Sequence, residues 1–139
     1  MDDALCAMKV GTDGVLLGAW ADVEGAKRVL DMGTGSGLIA LMVAQHNKEA
    51  QIEAIDIDEG AVLQARKNID ASPWRGRIGV ALSDANSYTS SQRFDHIVSN
   101  PPFFTTTLLS PDERRAMARH ASMLSYEDIV AAAERLLRP

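Results

Sequence analysis

An α/β fold on a doubly wound, mostly parallel sheet is the class this sequence predicts, and three observations predict it. Short apolar runs alternate with helical patterns along the chain. A glycine-rich turn, Gly33 to Gly37, joins the first such pair, Val29 to Met32 and Leu38 to Ala44. The tetrapeptide Asn100-Pro101-Pro102-Phe103 closes a later apolar run, Phe94 to Ser99. Strands alternating with helices imply parallel pairing through crossovers. Open sheets of this kind take their ligands at the carboxyl ends of the strands, and both motifs fall at such ends.

The elements follow in order. Lys9 to Trp20 reads as a loop whose Thr12 or Asp13 caps an apolar helix. Val29-Leu30-Asp31-Met32 is a short buried strand, and Leu38 to Ala44 an apolar-periodic helix. Ile52 to Asp56 forms a second strand, with Asp58 as N-cap of a helix through Ala61 to Asn68. Pro73-Trp74-Arg75-Gly76 punctuates the chain before a third strand, Ile78 to Leu82, and Phe94 to Ser99 is the fourth. Ser125 and Asp128 are spaced as a capping box for a last helix to about Leu137, with Ile129, Val130, Ala133, Leu136 and Leu137 on one face. A right-handed crossover would deliver the chain into a fifth strand, yet it stops at Arg138-Pro139. The expectation is one partial domain, residues 1–139, lacking its C-terminal strands, with the fourth strand's edge exposed or paired between molecules.

Composition narrows the function classes. The 139 residues suffice for one core, with 46% hydrophobic and 24% charged residues. No apolar run is long enough to span a membrane, and Asp2 and Asp3 replace the basic start of a signal peptide. The single Cys6 makes no internal disulfide, which points to a reducing cytoplasm. The net charge of −5 does not advertise nucleic-acid binding, so an RNA partner would need a local basic patch. His46, His96 and His120 lack metal-ligand spacing, and no metal is expected.

Asp31-Met32-Gly33-Thr34-Gly35-Ser36-Gly37 follows a strand and opens a helix, the context that gives such a loop meaning. Glycine allows positive φ and close approach of a ligand to the backbone. A dinucleotide fingerprint would be G-x-G-x-x-G, but here the third glycine comes one residue early, at Gly37. The loop resembles the first motif of S-adenosylmethionine-dependent methyltransferases. That resemblance implies that Gly33, Thr34, Gly35 and Gly37 pack beneath the amino-acid part of the cofactor, with Asp31 near it. Asp56, followed by Ile57, ends the second strand about 20 residues beyond the loop, where a ribose-binding acid is expected. Asp58 competes for that role but is assigned to capping. Ser83-Asp84-Ala85 follows the third strand; the resemblance places Asp84 and Ala85 against the adenine ring, and a plain turn is an open alternative.

Methyl transfer to an exocyclic amine is mainly a problem of geometry, because a conjugated nitrogen is a poor nucleophile. The Asn100 side-chain oxygen and the Pro101 carbonyl are placed to accept its two N–H groups and turn its lone pair toward the methyl. Pro101 restricts Asn100 to extended backbone, and both prolines fix their own φ. Phe103 offers a ring on which a planar base stacks. Asn100, Pro101, Pro102 and Phe103 are the candidate catalytic residues. The tetrapeptide resembles one shared by methyltransferases that act on adenine N6, on guanine N2 in ribosomal RNA and on a glutamine amide in release factors, and alone it does not choose among them.

The block Cys6 to Ala21, with Asp31 to Met42 and Ala54 to Asp58, resembles the bacterial valine-tRNA adenine N6-methyltransferase family. The likeness runs from Cys6 to Arg138. It implies a Rossmann-like class I fold, S-adenosylmethionine as cofactor and tRNA as substrate, methylated on the adenine just 3′ of the anticodon. In that family the segment holding Thr12 and Gly14 lies over the cofactor pocket, which makes both candidate cofactor contacts. Members carry further sequence on both sides of the matched region. Glutamine or ribosomal guanine methylation is the alternative chemistry, and a non-catalytic cofactor- or RNA-binding module is the reading from another class. Arg114, Arg115, Arg119 and His120 are possible phosphate contacts and Arg75 and Arg77 weaker ones. Trp20 and Trp74 are expected to pack in the protein.

Overall fold

The computed structural model describes residues 2–6, 11–101, 112 and 124–139. Pro102, Phe103, Arg114, Arg115, Arg119 and His120 lie outside them. Along the described chain run α1 (Thr12–Trp20), β1 (Arg28–Met32), α2 (Leu38–His46), β2 (Gln51–Asp56), α3 (Glu59–Asp70), β3 (Ile78–Leu82), β4 (His96–Ser99) and α4 (Tyr126–Leu136). The four strands form one parallel sheet in the order β3-β2-β1-β4. This is the predicted α/β class.

Strand alternation sorts the side chains of β1 to two faces. Val29 joins Ile52, Ala54, Ile78 and Val98 beneath Ile39, Ala40, Val43 and Ala44 of α2 and Ala65 and Ile69 of α3. Leu30 and Met32 join Ile55 and Phe94 on the opposite face, covered by Ala132 and Leu136 of α4. Helices on both faces leave neither side of the central strand β1 open to solvent. β1 is accordingly buried at every residue from Val29 to Met32.

Asp58 caps α3 as expected, its side chain accepting from the Ala61 amide, and Ser125 and Asp128 form a reciprocal capping box on α4. Several expectations need correction. Neither Thr12 nor Asp13 caps α1: Gly11 is its N-cap, with no side-chain cap, and both residues lie in the first turn. Trp20 does not pack, being 78% exposed. α1 turns Gly14, Leu17, Gly18 and Ala21 inward, a stripe at helical spacing, and Trp20 falls outside it. A Cβ on Gly18 would meet the Met42 side chain at 2.4 Å, so glycine here lets α1 close on α2. Trp74 does pack against the core. On α4, Val130 points outward and Ala132 takes the buried place, because the inward stripe is Ile129, Ala132 and Leu136.

The fourth strand begins at His96 rather than Phe94. Phe94 instead makes a parallel bridge to Leu137 on the side away from β1: its amide donates to the Leu136 carbonyl, and its carbonyl accepts from the Arg138 amide. Among the described residues β4 itself pairs only with β1 and ends the sheet, but the expectation of an edge open along all of Phe94 to Ser99 is corrected at Phe94, which Leu137 of the same chain covers. Asp95 ties this corner to β1. Its carboxylate accepts from the Arg28 and Lys27 amides, bonds that hold its pKa below the usual carboxylate range, and it pairs with Arg138 at 3.1 Å.

Two polar side chains fasten the amino ends of the strands. Asn47, buried at the end of α2, donates to the Val23 and Ala26 carbonyls and accepts from the Glu49 and Ala50 amides. Arg77 donates to the carbonyls of Ala44, Asn47 and Ala50, capping α2 rather than facing a phosphate. Removing a satisfied buried side chain strands its partners, at a cost of about 1–3 kcal/mol per group when water cannot reach them. Asn47→Ala should therefore destabilise the protein by about 3 kcal/mol in urea unfolding with an unchanged m-value. Lys48→Ala, on the exposed neighbouring residue, should change stability by less than about 0.5 kcal/mol.

Candidate functional site

Register brings the motifs together. Met32 pairs with Ile55 on one side and Ser99 on the other, and Asp56 pairs with Leu82. One residue further on, Gly33 is therefore level with Asp56 and with Asn100. The Ser99 hydroxyl donates to the Met32 carbonyl and ties the last pair. The loop then folds over the end of β2: the Gly33 and Thr34 amides both donate to the Ile55 carbonyl, and the Gly35 amide to Asp56 Oδ2 at 2.9 Å.

Gly33, Gly35 and Gly37 all have positive φ, at 71°, 56° and 86°. A side chain is strained there, and Gly37 is also the N-cap of α2. Open space surrounds the place where a Cβ on Gly35 would stand. A Cβ on Gly37 would instead meet Ala65 and Ile69 of α3 at 3.4–3.5 Å, in ordinary van der Waals contact. Leu124 reaches to 3.9 Å from the corresponding point at Gly33. Nothing in the sequence between Phe103 and the last helix marked Leu124 as a neighbour of the loop.

Asp31 lies beneath the loop and is fully buried. Its Oδ2 accepts from the Thr34 hydroxyl at 2.7 Å and from the Ala40 amide at 3.2 Å, whereas Oδ1 is buried without a hydrogen-bond partner. Loss of hydration pushes the carboxyl up to about 7, against the pull of these two donors, and the nearby Asp56 carboxylate adds to the rise. An unmatched buried carboxylate oxygen is costly and fits a cationic or hydrogen-donating group of a ligand. Together with the open face of Gly35, it makes the loop compatible with a cofactor that carries an ammonium group.

Asp56 accepts one backbone N–H at each oxygen, from Gly35 and from Asp58. Ile57 beside it keeps 38% of its surface exposed, an apolar side chain at the mouth. Asp84 heads a turn after β3, its Oδ1 accepting from the Asn86 amide and its carbonyl from Ser87 and Tyr88. Ala85 is buried in the core beneath α4, with its carbonyl accepting from Arg135. Asn100 is half-buried and Pro101 buried. Gly14 packs against Asn100: a Cβ there would stand 3.4 Å from Asn100 Nδ2 and from Leu38. Thr12 is exposed in the first turn of α1. The structure thus gathers Gly14, Asp31, the loop, Asp56 and Asn100 at the carboxyl end of the sheet. Among the described residues no three His, Cys, Asp or Glu side chains are placed to hold a metal, and no helix is long and apolar enough to cross a membrane.

Comparisons with known proteins bear on the family and the fold. The chain is 57% identical over 134 residues to a protein of Phocaeicola vulgatus named tRNA1(Val) (adenine(37)-N6)-methyltransferase, covering 96% of this chain and 57% of that one. Proteins of the same name from Bacteroides thetaiotaomicron and Aeromonas hydrophila are 54% and 51% identical, with 96% and 100% of this chain covered and 56% and 59% of theirs. The chain thus spans somewhat over half the length of these relatives. In fold it is similar to an S-adenosylmethionine-dependent methyltransferase from Thiobacillus denitrificans solved with S-adenosyl-L-homocysteine, at TM-score 0.64 and 21% identity over 91% of this chain and 44% of that one. It is also similar to protein arginine methyltransferase 10 of Arabidopsis thaliana, at TM-score 0.59 and 24% identity over 81% of this chain and 28% of that one. The family model described as "Methyltransferase small domain" matches residues 8–137, and the chain belongs to that family.

Proposed function

We propose that this chain is the cofactor-binding part of an S-adenosylmethionine-dependent methyltransferase that acts on adenine N6 in valine tRNA, next to the anticodon, in the cytoplasm. The observation that carries the reading is the register that sets Asn100 level with the first glycine of the loop, beside Asp56. The names of relatives sharing about half of its residues support the substrate.

In this reading Gly33, Thr34, Gly35 and Gly37 line the amino-acid end of the cofactor, and Asp31 Oδ1 receives its ammonium. Asp56 receives the ribose hydroxyls, a carboxylate having about four acceptor positions. Ile57, Asp84 and Ala85 border the adenine, Ala85 by its backbone since its side chain is in the core. Thr12 and Gly14 close the near side. When bound, the cofactor supplies an electrophilic methyl on a sulfonium. The protein's task is then to hold the acceptor amine in line and exclude water. Asn100 Oδ1 and the Pro101 carbonyl each accept one N–H of the amine, which frees its lone pair from conjugation, and Phe103 stacks on the base. The proton lost from the methylated nitrogen passes to water, so no buried base is required.

Unmodified valine tRNA incubated with the protein and labelled cofactor should yield N6-methyladenosine on nucleoside analysis. Label appearing only on a release-factor glutamine or on ribosomal guanine would replace this substrate with the alternative. Asn100→Ala should lower turnover by about 100-fold or more, as expected when positioning is lost, and leave S-adenosylhomocysteine affinity within about threefold.

The buried carboxyl also has a pH signature of known sign. With its folded pKa about 7, above the unfolded carboxylate value, Asp31 favours the ligand-free fold at low pH, and that contribution is lost as pH climbs through 7. A cationic ligand group needs the ionised form, so binding runs the opposite way. S-adenosylhomocysteine affinity by calorimetry should rise roughly tenfold from pH 6 to pH 8. Asp31→Asn should bind weakly with a flat profile, and an unchanged slope in that variant would assign the titration to another group.

A further inference from the structure

Residues 2–6 lie as a strap along α3, and their contacts follow one stripe of that helix: Gly60, Gln64, Lys67 and Asn68. The spacing is that of one helical face. The Leu5 amide donates to Gln64 Oε1, the Asp2 amide to Asn68 Oδ1, and Lys67 pairs with Asp2 at 3.0 Å. At Gly60 the strap touches the helix backbone. A Cβ there would lie 2.8 Å from the Leu5 carbonyl oxygen, a distance only glycine avoids.

Asn68 does more than seat the strap. Its Nδ2 donates to the Asp2 carbonyl and also, at 2.9 Å, to the Ser36 carbonyl inside the glycine-rich loop. One side-chain amide thus joins three segments: the strap, α3 and the loop. The loop's own bonds run toward β2 and β1, through Ile55, Asp56 and Asp31. Asn68 is the described side chain that holds it from the α3 side.

We propose that Asn68 is a positioning residue for the glycine-rich loop and that Gly60 serves it by admitting the strap. The strap fills the outer face of α3, shields the Asn68 amide and keeps its nitrogen aimed at Ser36. This rests on the reading of the loop as the cofactor site for its functional consequence, but the mechanical coupling stands apart from that reading and is tested apart from it.

Amide hydrogen exchange in the ligand-free protein reports directly on the loop, because the Gly33 and Thr34 amides donate to the Ile55 carbonyl, Gly35 to Asp56 and Gly37 to the Thr34 carbonyl. Asn68→Ala should speed exchange at these amides by about tenfold or more while core amides of β1 and β2 keep their protection. Gly60→Ala supplies a second route. Alanine normally improves on glycine within a helix, yet here it should lift the strap and raise loop exchange in the same direction. Lys67→Ala removes only an exposed ion pair and should leave the loop unchanged. Loop exchange as slow in both Asn68→Ala and Gly60→Ala as in the wild type would overturn the proposal, as would an equal effect of Lys67→Ala. S-adenosylhomocysteine calorimetry on the same proteins separates the two readings. Weakening by about tenfold in Asn68→Ala, alongside normal wild-type binding, extends the coupling to the cofactor. No binding by the wild type would remove the cofactor reading while the exchange result still decides the role of Asn68.

Discussion

Parallel pairing of β1 with a neighbour on each side is the constraint on which the site depends. A strand buried on both faces and bonded along both edges leaves no freedom in the sheet, so the chain can change direction only after Met32. The turn that follows must find donors and acceptors at the end of β2, and it does so through the Ile55 carbonyl and the Asp56 carboxylate. The same register stops β4 at Ser99 and sets Asn100 beside the turn. A slip of one residue would exchange the two faces of β1, moving Asp31 from under α2 and removing the loop's anchor.

That anchor is electrically unusual. A carboxyl group in the core is tolerated when its charge is matched, and Asp31 is matched on one oxygen only. The Thr34 hydroxyl and the start of α2 hold it in place, and loss of hydration raises its pKa to about 7, so that it changes charge near physiological pH. Such imbalance concentrates at functional sites. Here it links loop geometry to ligand charge: the group that braces Thr34 is also the one a cationic ligand would compensate.

Glycines serve two different purposes around this centre. Gly33, Gly35 and Gly37 are needed for backbone conformation, since each has positive φ. Gly14, Gly18 and Gly60 have ordinary backbones but stand where another segment comes close: Asn100, Met42 and the strap. The first group shapes the loop. The second lets α1 and the strap close in around it, so that the loop is held from the β2 side by Asp56 and from the α3 side by Asn68.

Much of this was legible in the residues. The strands Val29 to Met32, Ile52 to Asp56 and Ile78 to Leu82, the α3 cap at Asp58 and the Ser125 capping box all depend on local pattern or on side chains reaching three residues along the chain. The departures have one origin: Trp20 turned outward because a glycine stripe faced α2, Val130 turned outward because Ala132 fitted the sheet, and Phe94 bridged to Leu137 rather than joining β4. Each depends on which neighbour a face meets. By itself the sequence determined the order of elements, the conformations the loop glycines permit and the residue types offered for chemistry, because these follow from covalent structure and short-range bonding. Tertiary contacts alone settle that Asp31 is buried with one oxygen unmatched, that Gly14 lies beside Asn100 and that Asn68 reaches Ser36. Those facts arise from segments far apart in the chain, and strand register and helix packing alone bring them within bonding distance.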